Sequence, residues 1–78
     1  MIPIYKLEEY GFKKVQDRFT EEEFSYDLFR LKKGEHQLDC TIEFDLKDKP
    51  TKQYFEINGH ELKGLIRPYE LSLLINML

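Results

Sequence analysis

The chain holds one cysteine in 78 residues, and it has no long apolar run, no clustered glycines and no block of basic charge. Each absence removes a class of protein. A lone Cys40 cannot close an internal disulfide, and its place on the apolar phase of a strand pattern suits a reduced core thiol. A helix that crosses a bilayer needs about 20 consecutive apolar residues, and no stretch approaches that. Residues 1–6 lack the charged leader and apolar run of a secretory signal, so a soluble cytoplasmic protein is expected. Gly11, Gly34, Gly59 and Gly64 lie too far apart to build a Walker-type or dinucleotide-binding loop. No cofactor is expected.

Catalytic and metal-binding constellations are equally scarce. His36 and Cys40 fall on the same face of a strand, but four residues of extended chain separate them by roughly 13 Å, whereas ligands of one zinc each lie about 2 Å from it. No metal site is expected. His60 follows a tight turn, and its only assured neighbour, Glu61, points to the other strand face, so no group orients it as a general base. Ser25 and Ser72 lack the glycine-flanked elbow that exposes a nucleophile, and a carboxylate pair such as Asp45 with Asp48 means little where 35% of residues are charged. An enzyme is the least favoured reading.

The net charge of −3 is spread evenly, at −2 over residues 1–39 and −1 over residues 40–78. Neither half is a basic arm. The lysine clusters are short and lie beside acids: Lys13 and Lys14 with Arg18, Lys32 with Lys33, and Lys47, Lys49 and Lys52. Glu21, Glu22 and Glu23 form one acidic run, which reads as a solvated surface rather than a nucleic-acid mimic.

What is present defines a fold. Leu38, Cys40, Ile42, Phe44 and Leu46 alternate with Asp39, Thr41, Glu43 and Asp45, the pattern of a half-buried strand in an antiparallel sheet covered on one side. The 41% hydrophobic content, with six Phe and five Tyr, is that of a folded single domain spanning residues 1–78. Pro3 opens a short helix through Tyr10 with Gly11 as its stop, and residues 12–19 read as a linking strand. Residues 20–32 admit two readings. Thr20 with Glu23 fits a capping box, Phe19 with Phe24 a hydrophobic staple, and Phe24, Leu28 and Leu31 a helical spacing. Alternatively Phe24, Tyr26 and Leu28 alternate as a strand, with a phase change or bulge before Phe29 and Leu31. The strand is favoured, since a hairpin supplies the partner that residues 38–46 need.

Further on, residues 47–51 form a polar loop, and Asn58-Gly59 joins strands over residues 53–57 and 60–66 as a type I′ hairpin. Pro68 starts a helix to residue 78. The expected architecture is α+β: a small antiparallel sheet of three to five strands, built from two hairpins, packed on a C-terminal helix, with a short N-terminal helix at the periphery.

The last helix carries two apolar stripes. Leu71, Leu74, Ile75 and Leu78 recur at core spacing, whereas Tyr69, Leu73 and Met77 recur every four residues on roughly the opposite side. One sheet cannot bury both. Either Ile2, Ile4 and Leu7 fold over the second stripe, or it seals a homodimer, or Tyr69, Leu73 and Met77 bind a partner.

The run Leu7-Glu8-Glu9-Tyr10-Gly11-Phe12-Lys13-Lys14-Val15, the Tyr- and Phe-rich middle and the closing Tyr69-Glu70-Leu71-Ser72-Leu73-Leu74-Ile75 resemble small proteins encoded by phages and mobile elements of Bacteroidetes-type bacteria. Such proteins are similar in size and acidity to inhibitors of host defence, including anti-CRISPR proteins. The resemblance implies a noncatalytic protein in the host cytoplasm that occupies a surface of a host nuclease or ribonucleoprotein, and it assigns no residue a role. The alternative is a nucleic-acid-binding accessory domain, with sheet aromatics stacking bases and scattered lysines holding phosphates.

Overall fold

The computed structural model describes residues 1–20, 25–64 and 66–78. Helix α1 (Ile4–Glu9) is followed by strands β1 (Lys13–Thr20), β2 (Ser25–Lys33), β3 (His36–Phe44), β4 (Pro50–Ile57) and β5 (His60–Leu62), and then by helix α2 (Pro68–Met77). The strands form one antiparallel meander in the order β1-β2-β3-β4-β5. This is the expected small α+β architecture.

Helix α1 ends in a Schellman motif. Gly11 N–H donates to the Glu8 carbonyl and Phe12 N–H to the Leu7 carbonyl, both at 3.0 Å, with Gly11 at φ 104°. Leu7 and Phe12 then meet in the core, the apolar contact that accompanies this motif. At the other end, the Gln53 amide grips the Ile2 backbone twice, donating to its carbonyl and accepting from its N–H, each at 2.8 Å. The N-terminal segment is therefore part of the core rather than a peripheral tail.

Residues 20–32 resolve as strand from Ser25 onward. Glu23 and Phe24, on which the helical reading rests, lie outside the described residues, as do Glu21 and Glu22. The β2–β3 register runs without a break from Ser25 opposite Phe44 to Lys33 opposite His36, so β2 needs no phase change. Its core-facing residues are Ser25, Asp27, Phe29 and Leu31, and the alternating Tyr26 and Leu28 face the opposite side. The bulges fall in β1 instead, one at Val15 and one between Gln16 and Phe19.

Strand β3 stops at Phe44, two residues short of the predicted run, and Leu46 is exposed. The cause is Asp45. Its carboxylate accepts from Lys47 N–H at 2.8 Å and Lys49 N–H at 3.0 Å, and this local turn outcompetes one more alternation. Strand β4 begins at Pro50, inside the stretch expected to be loop, and β5 is shorter than predicted. Asn58 at φ 49° and Gly59 at φ 85° form the expected I′ turn.

Both helices lie on one sheet face, where Ile2, Leu7, Phe12 and Leu71 pack with Phe29, Leu38, Cys40, Ile42, Phe44 and Phe55. The other face is less open than alternation implies. Thr41 is buried there between Leu28 and Tyr54, which sit directly opposite it on the flanking strands.

Candidate interaction surface

Helix α2 starts where its sequence dictates. Pro68 occupies the first helical position, and the Glu70 carboxylate accepts from Arg67 N–H at 3.0 Å, satisfying one of the donors a helix start leaves free. Leu71 is fully buried, and Leu74, Ile75 and Leu78 pack against the core. The opposite stripe is bare: Tyr69 is 59%, Leu73 58% and Met77 81% exposed. Ile2 and Leu7, expected to cover it, are instead buried under the sheet, and Ile4 is itself exposed. The N-terminal cover is thus corrected; α1 is committed to the core.

Two side chains fix this helix in place. The Tyr10 hydroxyl donates to the Pro68 carbonyl at 3.1 Å, and the Lys33 ammonium donates to the Ile75 carbonyl at 2.6 Å. The first ties the end of α1 to the first turn of α2. The second satisfies a last-turn carbonyl and places a cation at the negative end of the helix dipole. Tyr69, Leu73 and Met77 therefore stand on a platform held at both ends.

The residues weighed for chemistry are dispersed. His36 is exposed and its Nδ1 lies 3.1 Å from the Asn58 amide nitrogen, while Cys40 is inside the core. Burial pushes the Cys40 thiol up to about 12, against a weaker lowering by its hydrogen bond to Gln53. It is a packing group, not a nucleophile at neutral pH. His60 is exposed at the hairpin tip, Ser25 is buried opposite Phe44, and Asp45 and Asp48 serve the turn and an ion pair. Among the described residues no three His, Cys, Asp or Glu side chains cluster to hold a metal ion, and no helix is long and apolar enough to cross a membrane.

One polar cluster was not foreseen. Asp27 lies buried on the core face of β2, where it pairs with Arg18 at 3.0 Å and Lys14 at 3.5 Å. Arg18 also reaches Asp48 at 2.7 Å and lays its guanidinium 3.6 Å from the centre of the Phe44 ring. These groups close the end of the core beyond Phe44. The strand pattern hid them because Asp27 occupies a core-facing position that alternation reserves for apolar residues.

On the opposite sheet face, Tyr54 is an aromatic of the kind that could stack a base. Burial, and then the carboxylates of Glu43, Glu56 and Glu61, raise its phenol above the ordinary value, against a lowering hydrogen bond with Thr41. Lys52 lies over its ring at 5.0 Å and opposite Glu43. Three carboxylates around that ring would repel phosphate. Comparison with family models, characterised proteins and solved structures gives no match for this chain.

Proposed function

We propose that this protein is a noncatalytic binding domain that docks on a protein partner through Tyr69, Leu73 and Met77. The observation that supports this reading is the bare stripe itself: three large side chains remain exposed on a helix whose other stripe already fills the core. Neighbouring exposed apolar residues on a small domain mark contact sites, and aromatic and Met side chains are enriched at interface centres. A matching partner presents an apolar cleft wide enough for one helix face.

The resemblance to phage-encoded inhibitors of host defence extends this proposal to a host nuclease or ribonucleoprotein as the partner. Nucleic-acid binding through the sheet is disfavoured by the carboxylates around Tyr54. A photo-crosslinking residue placed at position 73, compared with one at position 54, separates the two in host lysate. Protein adducts from position 73 alone support the α2 reading. Nucleic-acid adducts from position 54 overturn it.

A further inference from the structure

The sheet face away from the helices carries charge of opposite sign at its two edges. One row of facing residues runs across all five strands as Lys13, Arg30, Asp39, Glu56 and Glu61. Arg30 and Asp39 neutralise one another, with Nε 2.7 Å and Nη2 3.4 Å from the two carboxylate oxygens. That leaves Lys13 at one end and Glu56 with Glu61 at the other. Lys32 lies on the same face of β2, two residues from Arg30, and joins Lys13 and Arg30 in lining a concavity at the β1 edge. None of the ion pairs among the described residues uses Lys13, Lys32, Glu56 or Glu61. Glu43 and Lys52, opposite one another on β3 and β4, offset each other on the same face. Two unpaired cations thus stand on β1 and β2, and two unpaired carboxylates on β4 and β5, roughly 10–19 Å apart at ordinary strand spacing.

This arrangement is complementary to itself. A two-fold axis lying between two such faces and running along β3 places β5 of one copy over β1 of the other, at the same height along the strands. Lys13 then lies over the partner copy's Glu61 in register, and Lys32, two residues further along β2, lies on the strand over the partner copy's Glu56 and reaches it along the strand direction, twice, while the neutral Arg30–Asp39 pairs lie near the axis. The adjoining row of Leu28, Thr41 and Tyr54 provides a half-buried, largely apolar strip between the charged ends. A long polyanion fits less well, because the face changes sign within a few strands.

We propose that a second copy of this chain docks on this face, forming an isologous dimer held by Lys13 and Lys32 against the partner copy's Glu56 and Glu61. The dimer leaves both α2 stripes pointing outward and does not depend on how they are used. The face measures roughly 19 by 20 Å, so the contact is smaller than a standard interface and the dimer is weak and salt-sensitive.

Sedimentation equilibrium up to about millimolar protein tests this. Dimer is expected in low salt, with association at least about tenfold weaker once ionic strength is raised about tenfold. Lys13→Glu with Lys32→Glu, and separately Glu56→Lys with Glu61→Lys, should each be monomeric while keeping the wild-type circular-dichroism spectrum. Mixing the two variants should restore a heterodimer, since each then presents what the other lacks. A wild-type chain that stays monomeric throughout overturns the proposal. So does a dimer that survives either charge reversal, which assigns association to another face such as α2, or a folded pair of variants that fails to combine.

Discussion

The Lys33 ammonium reaches from the end of β2 to the carbonyl of Ile75, 42 residues further along the chain, at 2.6 Å. This bond anchors the last turn of α2, the turn that carries Met77, to the sheet. Lys33→Ala should leave that carbonyl to water and cost about 0.5–1 kcal/mol, the usual worth of a cation at a helix C-terminus. Chemical denaturation measures the loss. Hydrogen exchange should show faster exchange confined to the last turn of α2, whereas a uniform change would mean that the bond does not hold the helix.

Ile42 and Thr41 are adjacent on β3, face opposite sides, and are both buried. Ile42→Asp sets an unpaired carboxylate among core residues and should cost more than about 4 kcal/mol, enough to unfold much of a domain of this size. Thr41→Asp should not be mild, although alternation alone suggests it. It puts a carboxylate between Leu28 and Tyr54, in line with Asp39 and Glu43, and should cost about 2 kcal/mol. Equal stability of Thr41→Asp and wild type in denaturant titration would contradict the closed outer face.

Cys40 gives a pH prediction. Its thiol ionises near 9.0 in the unfolded chain and near about 12 in the folded one, so the folded state holds its proton longer. The contribution is fully present below the unfolded value, and stability should fall as pH rises across that window. At pH 8 an aromatic disulfide reagent should modify native protein only at the rate of unfolding, and modify denatured protein at once. Rapid reaction of the native protein would place the thiol outside the core.

Much of this fold is legible in the sequence, and the exceptions have physical causes. Pro3, Gly11, Asn58-Gly59 and Pro68 mark element ends through backbone chemistry that acts locally, and each sits at the boundary it implies. Leu46 misled because a period of two cannot register that Asp45 caps its own turn. In β2 the apolar residues Tyr26 and Leu28 face away from the helices while Phe29 and Leu31 carry the core phase, and Asp27 shares that phase with its charge met by Arg18 and Lys14, partners that no local pattern contains. The α2 stripes were legible because helical spacing separates them cleanly. Which one the N-terminus covers depended on Gln53 gripping Ile2, a contact 51 residues apart.

The bare stripe of α2 is the proposed contact, and its most direct measurement is partner capture by the double variant Leu73→Asp, Met77→Asp. Both positions are exposed, so the circular-dichroism spectrum and melting curve should match wild type. Capture of a partner already identified by crosslinking should fall below detection, because two carboxylates at the centre of an apolar contact are desolvated without counter-charges. A folded double variant that captures the same partner at wild-type strength would contradict the assignment of Tyr69, Leu73 and Met77 as the binding surface.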